Sequence, residues 1–168
     1  MLFEDDIVIL AGGTGRVGGA TLRALHDAGA RIVVVSRSKN TAEELCGTYE
    51  RATPAIADLA DPAATDGLVE QTVKTFGRID AIVNLAGRGK FVSIRESSLE
   101  DLRLNLDGFV VTAYNLAVAA LRRMTSQSYR PGRRSRGHIV TVTAGSSREP
   151  QPRFGLFGAA KAGVNTLM

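Results

Sequence analysis

The 168-residue chain has no tryptophan, one cysteine, two histidines and five prolines, and only 5% of its residues are aromatic. Each shortage removes a class of explanation. With Cys46 as the sole cysteine, no internal disulfide can form. His26 and His138 stand alone in the sequence, without a neighbouring ligand at metal-binding spacing, so no metal site is expected. The longest apolar runs, such as Ile7–Ala11 and Ile32–Val35, fall far short of the roughly 18 residues of a membrane-spanning helix, and no bilayer crossing is expected. A basic leader is missing too. The opening Met1-Leu2-Phe3-Glu4-Asp5-Asp6 is acidic where a signal peptide carries positive charge, which makes a cytoplasmic location the expectation.

What is present is ordinary for a soluble domain: 44% hydrophobic and 23% charged residues, which excludes disorder and collagen-like repeats. Twenty-one basic residues against 17 acidic leave a net charge of +4. Arg122, Arg123, Arg130, Arg133, Arg134 and Arg136 crowd one stretch with Ser126, Ser128, Pro131, Gly132, Ser135 and Gly137, which reads as an exposed, solvated basic loop. Only Tyr129 offers a stacking surface there, and a nucleic-acid partner is not expected. A strand-helix unit takes roughly 30 residues, so the length allows one domain, 1–168, of five units and part of a sixth.

Two periodicities alternate along the chain. Short β-branched runs at Ile7–Leu10, Ile32–Val35, Pro54–Ala57, Ile79–Val83 and Ile139–Val142 read as strands. Helical patterns lie between them. Val17–Ala28 stops at Gly29, and Thr41–Tyr49 is capped by Asn40 or Thr41. Pro62–Phe76 opens on a capping Asp61 and stops at Gly77. A long helix over Leu99–Met124 enters through Ser97-x-x-Glu100, a capping-box spacing, and a last helix begins near Gly155. Nearly continuous apolar strands alternating with helices predict an α/β fold, a doubly wound parallel sheet covered on both faces. Ligands of such folds sit at the carboxyl ends of the strands, so the residues after each strand are the ones to search.

After the first strand comes Ala11-Gly12-Gly13-Thr14-Gly15-Arg16-Val17-Gly18-Gly19, running directly into a helix. Glycines let the backbone approach a pyrophosphate, and the helix start offers N–H groups and a positive dipole end. The second strand ends Val35-Ser36-Arg37-Ser38-Lys39 with no acid to accept hydrogen bonds from a ribose. An arginine there suits a 2′-phosphate, and Arg16 and Arg37 together point to NADP(H) in preference to NAD(H).

These residues resemble the short-chain dehydrogenase/reductase family. The spacing Gly12-x-x-Gly15-x-x-Gly18 resembles its glycine motif, with Ala11 at the usual threonine position. Asp58-Leu59, after the third strand, resembles the position whose carboxylate meets the adenine amino group. Asn84-Leu85-Ala86-Gly87 is similar to the family's Asn-Asn-Ala-Gly, with Leu85 at the second asparagine. The resemblance implies a Rossmann-like fold and cofactor contacts from Gly12, Thr14, Gly15, Arg16, Val17, Gly18, Ser36, Arg37, Asp58, Leu59, Asn84, Ala86, Gly87 and Lys161. The family's active site is an asparagine, serine, tyrosine and lysine set. Asn105 and Lys161 match the first and last of these. Phe157 stands at the tyrosine position, four residues before the lysine, and Ala144 at the serine position, thirteen before that. Ser146 and Ser147 lie nearby as stand-ins for the missing hydroxyl.

The resemblance therefore implies an oxidoreductase, moving hydride between a nicotinamide and a small carbonyl or alcohol substrate, whose site is impaired or atypical. A catalytically inactive nucleotide-binding scaffold or regulatory subunit is the alternative. It also implies that the family's C-terminal strands and substrate lobe lie outside this chain, leaving five strands. The expected assembly is a homo-oligomer through the helices at 99–124 and 155–168.

Overall fold

The computed structural model describes residues 3–168. Five strands form one parallel sheet in the order β3-β2-β1-β4-β5. They are β1 (Ile7–Ala11), β2 (Arg31–Ser36), β3 (Ala52–Ile56), β4 (Ala81–Asn84) and β5 (His138–Thr141). Helices α1 (Arg16–Asp27), α2 (Lys39–Cys46) and α3 (Pro62–Phe76) follow the first three strands. The chain winds outward from β1 to β3, then returns to β4 on the other side of β1. That reversal opens a crevice between the β1 and β4 carboxyl ends, where doubly wound folds take their ligands.

Strand alternation splits the core in two. Ile9, Ala11, Val33, Val35 and Ile82 face one layer with Val69, Leu116, Ala120 and Met124, while Val8, Leu10, Ile32 and Val34 face the other with Leu22 and Cys46. Both faces of β1 and β2 are thereby dry, which is why their sequences run apolar without alternation. Every strand end lies within two residues of the periodicity, and two strand starts shift by that much. β3 begins at Ala52 and keeps Pro54 inside it, tolerated because β3 is an edge strand bonded only to β2. Ile79 stays out of β4: the Gln127 side chain brackets it, its amide oxygen accepting from Ile79 N at 3.2 Å and its Nε2 donating to Ile79 O at 2.7 Å.

The helix starts differ in the same instructive way. α3 begins as its sequence implies, with Asp61 accepting from Ala63 N at 2.9 Å, and it ends on Gly77 at φ +82°. The cap of α2 is Ser38, whose hydroxyl accepts from Thr41 N, in place of Asn40 or Thr41. The long helix takes its capping box one residue later than Ser97-x-x-Glu100. Ser98 and Asp101 exchange bonds of 3.1 and 3.0 Å, because the Ser97 hydroxyl is already committed to Ile94 O. Nor is that helix uniform: α4 (Leu99–Asn105) passes through a π-helical segment (Leu106–Val111) into α5 (Thr112–Met124). The widening occurs where Arg88 O backs onto Gly108 so closely that a Cβ there would lie 1.9 Å away. The last helix is α6 (Gly155–Leu167).

By length and composition Leu99–Met124 is apolar enough to cross a membrane, contrary to the reading of uninterrupted runs. Half of its most apolar stretch is buried, and it packs through Leu116, Ala120 and Met124 as a core helix. β5 bonds only to β4, and Val140 and Val142 are half exposed on the α1/α2 side of the sheet.

The arginine-rich stretch is exposed at Arg122, Arg123, Arg133, Arg134 and Arg136, as its composition implies, and two of its arginines also act as a clamp. Arg130 Nε and Nη2 donate to the Asp80 carboxylate at 2.9 and 2.7 Å, Arg78 Nε donates to it at 2.8 Å, and Arg133 Nη2 donates to Asp6 at 2.9 Å. Both carboxylates are buried at the amino ends of β1 and β4. Burial alone would push the Asp80 carboxyl up. Arg130, the Ile7 N–H and Arg78 more than offset this and hold it below the usual carboxylate range.

A lowered folded-state pKa stabilises the fold in full above the unfolded value of about 3.9 and is lost as pH falls through the folded value. Urea denaturation should therefore show stability level between neutrality and about pH 5 and falling below about pH 4. Arg130→Met should cost about 1–3 kcal/mol at pH 7, and less in acid, by leaving a buried carboxylate short of partners.

Candidate functional site

A cavity of about 630 Å³ occupies the carboxyl ends of β1 to β4. Its floor is the glycine turn, where Gly12, Thr14 and Gly15 line it. Gly12 has φ +78°, and a Cβ on it would lie 2.7 Å from Ala86 N. A Cβ on Gly18 would lie 2.1 Å from Gly12 O. Three backbones, those of the turn, of α1 and of the loop after β4, thus meet where side chains would keep them apart. Gly15 caps α1 without a side-chain bond, and the first turn holds no acid, which leaves a positive helix end facing the cavity.

The wall after β2 is Ser36, Arg37, Ser38 and Thr41. Ser38 N donates to Ser36 Oγ at 3.1 Å and Thr41 Oγ1 to Ser38 Oγ at 2.9 Å, bracing the turn around Arg37. Arg37 makes no ion pair among the described residues. The wall after β3 is Asp58, Leu59 and Ala60. Asp58 accepts from Ala60 N at 3.1 Å, and Leu59 O accepts from Asn115 Nδ2 at 3.0 Å. Opposite stand Ala86, Gly87 and Arg88, with Leu104, Asp107, Gly108 and Thr112 of the long helix.

Nine of the expected cofactor residues line this cavity: Gly12, Thr14, Gly15, Ser36, Arg37, Asp58, Leu59, Ala86 and Gly87. Arg16, Val17, Gly18, Asn84 and Lys161 do not. Gly18 acts by close packing, and buried Asn84 accepts from Ala86 N at 3.1 Å, holding the loop from below. Ser38, Thr41, Arg88, Asp107 and Thr112 escaped the reading of motifs. The long-helix contacts carry a helical stripe at 104, 108 and 112, a signal that motif matching does not use.

The four active-site positions gather beside the cavity without lining it. Asn105 is fully buried at the entrance to the π segment. Its Nδ2 donates to Asp101 O at 2.8 Å and to Lys90 O at 3.4 Å, while its Oδ1 has no partner. Lys161 is also buried; Nζ donates to Val142 O at 2.8 Å and lies 4.4 Å from the centre of the Phe109 ring. Burial pushes its ammonium pKa down, and no carboxylate pairs with it. Phe157 packs among Phe91, Phe109 and Phe154 with ring centres 5.0, 5.1 and 6.0 Å away. Near Ala144, Ser147 Oγ donates to Ala144 O and accepts from Asn165 Nδ2, and Ser146 Oγ is buried without a partner.

The sequence model of the short chain dehydrogenase family matches residues 6–168. This chain belongs to the short-chain dehydrogenase family. An uncharacterized oxidoreductase of Mycobacterium tuberculosis (strain CDC 1551) is 30% identical over 165 residues, 96% of this chain and 60% of that protein. A solved NAD+-bound xylitol dehydrogenase superposes with a TM-score of 0.89 at 25% identity, covering 99% of this chain and 64% of its own. A tyrosine-to-phenylalanine variant of ElxO with NADPH bound gives 0.87 at 23%, covering 97% and 65%. This short-chain dehydrogenase thus spans less than two thirds of the length of these three proteins.

The contact between Gly18 and Gly12 is the most exacting in the cavity floor. Gly18→Ala should lower stability by about 1–3 kcal/mol and weaken dinucleotide binding at least tenfold, read by thermal melts and titration calorimetry. An alanine variant that melts and binds as the parent does would show that the turn has room to yield.

Proposed function

We propose that this chain is an NADP(H)-binding short-chain dehydrogenase in which hydride-transfer chemistry is slowed by the residues at the tyrosine and serine positions. The observation that carries the cofactor preference is the wall after β2. Arg37 faces the cavity there, supported by Ser36, Ser38 and Thr41, with no acid in that wall. A guanidinium forms paired hydrogen bonds with a phosphate, whereas an unphosphorylated ribose offers it no charge. Arg16 lies outside the cavity lining, so the preference rests on Arg37.

A bound nicotinamide supplies or accepts a hydride at a carbonyl or carbinol carbon, and a protein group must then give or take a proton at the oxygen. Phe157 has no proton to exchange. Ala144 has none, and the Ser147 hydroxyl is already bonded to Ala144 O and Asn165, which leaves the unpartnered Ser146 hydroxyl as the one stand-in nearby. Loss of a general acid typically costs about 10²- to 10⁴-fold in rate. The second reading, a nucleotide-binding scaffold or regulatory subunit, is favoured by one observation. Asn84, Asn105 and Lys161 all spend hydrogen bonds on backbone groups of their own chain.

We read the assembly as a cytoplasmic homo-oligomer. Leu99, Leu106, Tyr114 and Leu121 leave an exposed apolar stripe along the long helix, and the extra residue of the π segment keeps Leu106 and Tyr114 on one side.

NADPH should raise the melting temperature by several degrees and NADH should not; equal shifts would overturn the Arg37 argument. Arg37→Asp should reverse the order of the two. With a panel of carbonyl substrates, Phe157→Tyr should raise NADPH turnover by about 10²- to 10⁴-fold. Full turnover in the unaltered chain would show that Phe157 is no obstacle.

A further inference from the structure

The chain's lysines are Lys39, Lys74, Lys90 and Lys161, and their surroundings divide them. Lys39, Lys74 and Lys90 stand in solvent, and Lys39 and Lys90 are paired with Glu43 and Asp101 at 3.8 and 2.8 Å. Lys161 is the exception. It is buried, no carboxylate pairs with it among the described residues, and of its three N–H groups one is used, on Val142 O at 2.8 Å. What surrounds the amine is aromatic. Nζ lies 4.4 Å from the centre of the Phe109 ring and 5.9 Å from that of Phe157, and Phe91 and Phe154 close on Phe157 from outside. Four of the six phenylalanines of the chain meet there. An ammonium so placed loses hydration that one carbonyl does not replace, which favours the neutral amine and lowers its pKa.

A neutral amine in an apolar surround is a nucleophile toward carbonyl carbon. The same region holds hydroxyls with capacity to spare. Thr141 Oγ1, on the residue before the carbonyl that holds Nζ, is buried without a partner among the described residues, and so is Ser146 Oγ. Ser146 is pressed onto the last helix one turn before Lys161: a Cβ on Gly158 would lie 2.6 Å from Ser146 O and 3.8 Å from Ser146 Cβ. Buried hydroxyls left unbonded suit a ligand oxygen. Phe91, the outermost ring, is half exposed, as is Val142 beside Nζ, so the approach to the amine runs along the rings. Lys161 does not line the large cavity, and a ligand on it leaves that cavity open.

We propose that Lys161 is an imine-forming site for aromatic aldehydes and ketones, the rings holding the apolar body and the hydroxyls of Thr141 and Ser146 receiving the carbonyl oxygen. Nζ yields one proton to solvent and adds its lone pair to the carbonyl carbon. Its two remaining protons pass to the oxygen, which leaves as water as the C=N bond closes. Nothing is oxidised or reduced. The step uses no dinucleotide and stands apart from the hydride reading.

Benzaldehyde with sodium cyanoborohydride, given to the unaltered chain at neutral pH without nucleotide, tests this. The reductant adds hydride to the imine carbon and fixes the adduct as a secondary amine, which peptide mapping by mass spectrometry locates. Lys161 should carry at least about tenfold more benzyl adduct than Lys39, Lys74 or Lys90. Equal labelling of the four lysines, or labelling confined to the exposed three, would overturn the proposal. In urea the preference should vanish; a preference that survives unfolding would show that the folded surroundings do not produce it, and would overturn the proposal equally. Glyoxylate, an anionic aldehyde, should show no preference for Lys161, and selectivity matching that of benzaldehyde would overturn the assignment to aromatic carbonyls.

Discussion

Close backbone contact at the switch point is the constraint on which the rest of this structure depends. Gly18 rests on Gly12 O, and Gly12 rests on Ala86 N, so the start of α1, the turn after β1 and the loop after β4 are held at distances that any side chain would enlarge. Every wall of the cavity is referenced to that contact. The positive end of α1 faces inward because Gly15 caps it with backbone only. The β4 loop carries Ala86, Gly87 and Arg88 to the opposite wall because Asn84 ties Ala86 from below.

The amino ends of the strands are secured by a different means. Asp6 and Asp80 are carboxylates buried beneath the sheet, and such groups are tolerated only when paired and hydrogen-bonded. Arg78, Arg130 and Arg133 supply the pairing, and Arg130 also reaches Asp5 O. The long connection between α5 and β5 is thereby anchored to β1 and β4. Charge at one end and glycine contact at the other hold the central strands, and the ligand-binding edge stays free of buried ion pairs.

Between them lie Asn105, Phe157 and Lys161, each held by contacts within the chain. In a site working on a substrate oxygen, an asparagine, a lysine and two hydroxyls would keep donors free toward a ligand. Here the Asn105 amide braces the entrance to the π segment, Lys161 is tied to the end of β5 under an aromatic roof, and Phe157 joins a ring cluster. Polar groups are still open beside them: Asn105 Oδ1, Thr141 Oγ1 and Ser146 Oγ are buried without partners among the described residues.

Local chemistry carried much of this. Asp61 before Pro62 and runs of β-branched residues placed five strands and the cap of α3, because each depends on backbone freedom or on hydrogen bonds within a few positions, while the glycine spacing, the end of the second strand and the family resemblance together named nine of the cavity's residues. Competing local partners defeated it at Ser97 and Ile79, where Ile94 O and the distant Gln127 decide the outcome. The arginine stretch is exposed as its composition implies, but its pairing was not legible: its carboxylate partners lie up to 127 residues away, and composition cannot show pairing across the fold. The sequence by itself determined the doubly wound sheet, the glycine-rich turn after β1 and the absence of a titratable group at position 157. Only the tertiary structure decided that Arg88 lines the cavity, that Arg16 does not and that Lys161 is buried against Phe109. These depend on which distant backbones come into contact, and only the folded chain brings them together.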